Sequence, residues 1–393
     1  MNILYVAPYA SEKFRFMHSD VNPPNMGGVR KMELVISSLI QNGHSVVVLS
    51  SAMLSISRLA VRSGYCEQIE VEGGGAFQVV YPPALMLRPF GGLVSSFSAA
   101  RFLRDVTSQY HIDAAIAYNT YLFESLTIKE LLAQSSLPVC LEIEDLPLAR
   151  KRGLLNLKPV FDQLCWHNML KISSSFLAVN QDIYNILPED KPKIVLPGVI
   201  DQELIEVSEQ RNSPFSGTER IVGYFGALNP GKGIEVLFDL VPKLAFPWKL
   251  VMTGSGPLAE FCESLSALYP DRFIFYGNVL KTEMIQIMCE CDCVVIPKEQ
   301  ITGDGKGVFP FKALEYLVSG SHIISTTLAQ QGNLNLSFFQ RWDGSLDGLI
   351  YNLLCAESDY NVECTLRNSA RHAAITKYNM TNVGKDISEL LCV

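Results

Sequence analysis

Phe309-Pro310-Phe311-Lys312-Ala313-Leu314-Glu315-Tyr316-Leu317-Val318-Ser319-Gly320 joins a glycine-rich run to a helix that carries one carboxylate at a fixed distance from it. The run before it, Thr302-Gly303-Asp304-Gly305-Lys306-Gly307, is too rich in glycine for a helix and leaves its amides to a ligand, while Pro310 suits a first helical turn. A helix starting there turns its positive end toward whatever the loop holds. A phosphate gains about 0.3–1 kcal/mol from that dipole, and Lys312 adds a full charge. Glu315, one turn in, is no phosphate ligand; it suits hydrogen bonds from hydroxyls. The element fits a sugar or nucleotide bearing phosphate.

Outward from this stretch, apolar β-branched runs alternate with helical patterns. In the first half they are Ile3–Ala7, Val46–Leu49, Phe77–Tyr81, Ala114–Ala117, Val139–Ile143 and Phe176–Val179. In the second they are Ile221–Phe225, Lys249–Met252, Phe273–Tyr276, Val294–Pro297 and His322–Ser325. Continuous apolarity marks strands buried on both faces, and intervening helices make them parallel. The pattern predicts an α/β chain of two Rossmann-like, doubly wound domains facing a cleft. The first covers 1–200, a polar linker 201–218, the second 219–367, and terminal helices 368–393 are candidates to return to the first domain. In each half the first strand enters a glycine loop and a helix: Gly27-Gly28 before Val29 to about Gln41, and Gly226 to Gly233 before a helix to about Leu244.

The 393 residues are 48% hydrophobic, enough for two cores, and the net charge of −8 argues against a nucleic-acid surface. Residues 1–200 hold 17 basic and 17 acidic side chains, so the second half carries the whole deficit. Met1-Asn2-Ile3-Leu4 enters a strand pattern directly, and ten cysteines are scattered, which together predict a cytoplasmic, reducing location. Cys289, Cys291 and Cys293 have no nearby histidine and read as buried residues at a helix-to-strand junction rather than a metal site. No run reaches the ~18 apolar residues of a membrane span. Arg150-Lys151-Arg152 and the segment Met86 to Phe102 are candidates for peripheral contact with the inner face of a membrane, a solvated face being the alternative for the first.

Neither glycine loop matches Gly-x-Gly-x-x-Gly or a Walker loop. Lys232, between Gly231 and Gly233, can place an ammonium on a diphosphate; Gly254 and Gly256 lie where a strand becomes a helix and allow either ligand approach or a tight turn. The order of Gly226-Ala227-Leu228 with Lys232-Gly233, Gly254-Ser255-Gly256-Pro257, Asp292-Cys293-Val294-Val295-Ile296-Pro297 and Pro310-Phe311-Lys312-Ala313-Leu314-Glu315-Tyr316 resembles the donor-binding domain of GT-B glycosyltransferases, in particular the retaining family 4 enzymes. Gly27-Gly28 and Asn42-Gly43-His44 extend the likeness into the first half.

The resemblance implies a nucleoside diphosphate sugar as donor, a glycan or lipid-linked acceptor, polysaccharide biosynthesis, retention, and no cofactor or metal. It implies that Glu315 holds the nucleotide ribose, that Lys232 meets the diphosphate, and that Gly27, Gly28, Gly226, Gly254, Gly256, Gly307, Pro310 and Phe311 border the donor. Two positions depart from the family: Gly307 stands where a sugar-contacting glutamate is usual, and Ala227 where an arginine is common. Lys312 is a candidate replacement for that arginine, the alternative being a structural ion pair. On the acceptor side the candidates are His18, Asn119 and the run Glu142-Ile143-Glu144-Asp145, of which Glu144 and Asp145 suit sugar hydroxyls, the last also a candidate helix N-cap. A sugar-nucleotide epimerase and a non-catalytic member of the fold are the competing readings.

Overall fold

The computed structural model describes residues 1–18, 26–52, 60–71, 74–86, 102–146, 158–297, 312–326 and 337–392. They form two compact units, one from the described residues up to Val199 together with those from Met380 onward, the other from those between Ile200 and Asn379.

In the first unit ten strands are described: β1 (Asn2–Val6), β2 (Ser45–Leu49), β3 (Ala60–Arg62), β4 (Tyr65–Glu70), β5 (Ala76–Tyr81), β6 (Ala84–Met86), β7 (Ala114–Tyr118), β8 (Val139–Ile143), β9 (Ser175–Ala178) and β10 (Lys193–Val195). Eight of them make one sheet in the order β10-β9-β8-β7-β1-β2-β5-β4, parallel except for the antiparallel β4–β5 edge pair. The buried strands β1, β7, β8 and β9 are those read from unbroken apolarity. The edge strand β4 alternates exposed and covered residues, and β3 pairs with β6 in a separate antiparallel ribbon; neither was expected.

The helices of this unit are α1 (Glu12–Met17), α2 (Met26–Gln41), α3 (102–109), α4 (Leu122–Gln134), α5 (Lys158–Ile172) and α6 (Gln181–Ile186). Helix α2 takes Gly27 and Gly28 into its first turn, rather than starting after them, and ends at Gly43 with φ +80°. His44 bridges the Met1 amine and the Ser388 hydroxyl, a structural task.

The second unit holds α7 (Gln202–Gln210), β11 (Arg220–Phe225), α8 (Glu235–Leu240), β12 (Trp248–Thr253), α9 (Ala259–Leu268), β13 (Phe273–Gly277), α10 (Lys281–Glu290), β14 (Cys293–Ile296), α11 (Lys312–Ser319), β15 (His322–Ser325), β16 (Gln340–Arg341), α12 (Leu346–Val362) and α13 (Cys364–Tyr378). Its sheet runs β13-β12-β11-β14-β15-β16, all parallel. The segment expected as a linker is not one throughout: Asp201 caps α7 by accepting from the Glu203 amide, and Leu204 and Ile205 are buried. Ile200 bridges Asn379 in parallel, so the chain enters and leaves this unit at one place. The terminal helices divide there, α13 staying in the second unit and α14 (Met380–Leu391) packing on α2 of the first. Gly384 makes that packing possible, since a Cβ on it would strike the Ser38 carbonyl.

Candidate functional site

In the second unit the chain leaves β11 for β12 and β13 on one side and returns to β14 on the other, so the switch in strand order lies between the carboxyl ends of β11 and β14. Ligands of open α/β sheets bind at such points. Gly226 follows β11 with φ +144°, and a Cβ there would fall onto Lys312 Nζ, with Lys312 Cε at 2.7 Å. Lys312, the first residue of α11, thus lays its ammonium on the loop backbone. Its Nζ is 5.0 Å from the Tyr224 ring centroid, and the Tyr224 hydroxyl donates to the Ala227 carbonyl at 3.0 Å. Among the described residues no hydrogen bond or ion pair is made by the Lys312 ammonium, and Glu315 acts on it electrostatically. Burial lowers its pKa to about 8, against the pull of Glu315 and with the help of Lys232.

The helix presenting Lys312 and Glu315 is firmly held. Its Tyr316 hydroxyl accepts from the Phe225 amide, Arg211 donates to the Ser319 carbonyl at 2.5 Å, and Arg371 donates to the Val318 carbonyl at 2.8 Å. Cations on the last carbonyls suit a helix dipole. Glu315 is 8% exposed, whereas Lys232 is exposed between Gly231 and Gly233, both at φ +75°. The Gly231 amide is taken by Glu235. Gly254 and Gly256 serve packing: a Cβ on the first would strike the Gly226 carbonyl, and one on the second would lie 2.5 Å from the Leu228 carbonyl. Asp292, part of the family-like pattern, accepts from the Phe215 and Ile221 amides at 2.5 and 2.7 Å and fixes the start of β11.

In the first unit the switch lies between β1 and β7. Asn119 follows β7 in the left-handed region at φ +59°, is 1% exposed, and its Oδ1 accepts from the Glu144 and Asp145 amides at 2.8 and 3.1 Å. It shapes the turn after β8. Glu144 binds Lys31, a lysine of α2 that is 2% exposed and also donates to the Leu196 carbonyl at 2.9 Å. Glu142, 3.7 Å from Lys31, accepts from the Tyr5 hydroxyl at 2.5 Å. Burial pushes the Glu144 carboxyl up; Lys31 opposes the rise and Glu142 reinforces it. Asp145 is exposed, leaving it the open carboxylate of the pair.

Gly28 sits under the Tyr118 hydroxyl, 3.1 Å from where its Cβ would be, and Gly27 is exposed beside it. His18 ends α1 with its ring 4.6 Å from that of Phe14. Glu142, a candidate for the acceptor side, proves buried against Tyr5 and Lys31; Lys31 and Tyr5 escaped the sequence reading, a lysine on the apolar face of α2 being the available signal.

Gly307, Pro310, Phe311 and the basic run 150–152 lie outside the described residues, as does most of the segment between Met86 and Phe102. No helix among the described residues is long and apolar enough to cross a membrane, and none of their His, Cys, Asp and Glu clusters could hold a metal ion. Cys289, Cys291 and Cys293 are buried thiols whose pKa values burial raises, to about 11 for Cys289.

Residues 219–335 match the family model "Glycosyl transferases group 1". No curated protein sequence matches the chain. Among solved structures, an α,α-trehalose-phosphate synthase (UDP-forming) from Burkholderia xenovorans in complex with glucose-6-phosphate aligns at TM-score 0.69 and 9% identity over 100% of both chains. Sucrose-phosphate synthase from Thermosynechococcus elongatus aligns at 0.66 and 13%, covering 99% of this chain and 98% of that one. Anabaena HepE in complex with UDP aligns at 0.62 and 14% over 100% of both. At such identities the likeness is one of fold. The chain has the GT-B fold, and its residues 219–335 match the glycosyl transferases group 1 model.

Proposed function

We propose that the chain moves a sugar from a nucleoside diphosphate donor to a glycan or lipid-linked acceptor in polysaccharide biosynthesis, with retention and without metal. The observation that carries this reading is the Lys312 ammonium, laid on Gly226 at the strand-order switch with no ion pair among the described residues. Departure of a nucleoside diphosphate leaves negative charge on the phosphate and oxocarbenium character on the sugar. Lys312 and the nearby Lys232 stabilise the first, and a fixed donor of this kind supplies about 2.7–4 kcal/mol of transition-state stabilisation. Glu315 accepts hydrogen bonds from the ribose. UDP in the HepE structure and glucose-6-phosphate in the trehalose-phosphate synthase structure support a nucleotide donor and a polar acceptor here.

On the acceptor side Glu144 is committed to Lys31, so Asp145 is the carboxylate left to bind an acceptor hydroxyl. The deprotonation itself falls to the departing phosphate. Contact with the inner face of a membrane belongs to the same reading, supported by Val160, Phe161 and Leu164, which α5 exposes just after the basic run.

A thermal-shift panel of UDP, GDP and ADP tests the donor site: a ligand at 100 times its dissociation constant adds about 2.7 kcal/mol. Product analysis then tests the transfer, and an epimer released without acceptor contradicts it.

A further inference from the structure

Arg62 ends β3 in the first unit and is 5% exposed. Its Nη2 donates to the Pro82 carbonyl at 2.6 Å, while Nε and Nη1 have no hydrogen-bond partner. Those two nitrogens carry three N–H donors. Glu67, the described acid of the same aromatic cluster, accepts from the Ser11 hydroxyl at 2.5 Å, from Tyr81 at 3.0 Å and from Tyr65 at 3.4 Å. Arg62 has no ion pair among the described residues.

Aromatic rings accompany the guanidinium instead. Its Cζ lies 5.2 Å from the Phe14 ring centroid and 5.8 Å from that of Tyr81, and these rings stack on one another at 3.9 Å. Such rings attract a cation over their faces but offer nothing to N–H groups at its edge. Burial lowers the pKa to about 10, which leaves the group charged at neutral pH. A buried cation without a counter-charge is strongly unfavourable, and an arginine is suited to oxyanions above other ligands. The cluster stands where Ser11 and Phe14 follow β1 and Tyr81 ends β5, on the carboxyl edge of the parallel sheet, where ligands of such sheets bind.

We propose that Arg62 anchors a second ligand site on the first unit, one that takes an oxyanion, phosphoryl or carboxylate, on its free Nε and Nη1 donors. Under the proposed transfer reaction, on which this last step rests, the oxyanion is a charged group of the acceptor. It is separate from the diphosphate held by Lys312.

The test is thermal denaturation of the full chain at neutral pH with inorganic phosphate, glucose-6-phosphate or glucuronate, each against sodium chloride of equal ionic strength. To keep the donor site out of the reading, it is run on wild type, Lys312→Met and Arg62→Met. At least one oxyanion is expected to raise the melting temperature of wild type and Lys312→Met but not of Arg62→Met, which without ligand melts no lower than wild type. A shift with all three shows a sugar-independent site; one confined to the two sugar compounds assigns the oxyanion to a sugar acceptor.

Should Arg62→Met fail to fold, Arg62→Lys keeps the charge and loses the planar donors, and is expected to weaken oxyanion binding about tenfold or more. No oxyanion shift in wild type overturns the site, as does an equal shift in Arg62→Met, or a shift lost in Lys312→Met and kept in Arg62→Met. The nucleotide panel on the same variants separates the two readings: nucleotide shifts that persist in Arg62→Met leave the donor site standing whatever becomes of this one.

Discussion

Lys31, buried, and Lys312, half-buried, each stand at a strand-order switch, one in each unit, and their surroundings differ. Lys31 is saturated: Glu144, Glu142 and the Leu196 carbonyl surround its ammonium, and with Tyr5 they join α2 to the ends of β1, β8 and β10. Lys312 is half-buried and has no such partner among the described residues, with the ring of Tyr224 and the loop backbone at Gly226 beside it. A buried ion needs partners, and where the protein supplies them the ion is architecture. At Lys312, which has none among the described residues, the proposed function makes a ligand of opposite charge the partner.

The largest effect expected from this contrast is on folding. Lys31→Met leaves two buried carboxylates facing each other without their cation, and is expected to lower stability by about 3–5 kcal/mol in urea unfolding. Adding Glu144→Gln should recover part of the loss; no loss in the single variant would erase the distinction between the lysines. Next is Lys312→Met, which should cut turnover by about a hundredfold to a thousandfold. Its urea midpoint should not fall, because no hydrogen-bond or ion-pair partner among the described residues is orphaned.

Glu315→Ala should weaken nucleoside diphosphate binding by about 1.5–3 kcal/mol in calorimetry if it holds ribose hydroxyls. The smallest effect is in pH. With a pKa near 8, Lys312 is cationic below that value and neutral above it, so donor affinity should fall as pH rises through about 8. Its limiting slope is about tenfold per pH unit, and the Lys312→Met profile should be flat there.

Why Lys312 was legible in the sequence and Lys31 was not is a matter of range. Lys312 lies three residues before Glu315 in a pattern bounded by glycines, and the Gly226 loop announces itself by composition. Lys31 is defined by Glu144, 113 residues away, and nothing local marks that pairing. The same holds elsewhere. Unbroken apolarity revealed β1, β7, β8, β11 and β14, buried on both faces. The edge strand β4, which carries Glu67 among exposed residues, gave no such signal.

Helix α7 hides in a polar stretch because only Leu204, Ile205 and Ser208 are buried on it. Asn119 was found at the end of its strand, but its left-handed backbone and its two accepted amides belong to the turn after β8, formed 25 residues later in the chain. Gly254 and Gly256 were found as glycines, and only the structure assigns their missing side chains to the backbone of residues 226–228.

Calorimetric titration of UDP, GDP and ADP into wild type and Lys312→Met at pH 7 tests the central claim directly. Wild type is expected to bind at least one of the three, and the variant, unchanged in its urea midpoint, to bind it at least about tenfold more weakly. Equal affinity in the two proteins, or no binding of any of the three to wild type, would contradict it.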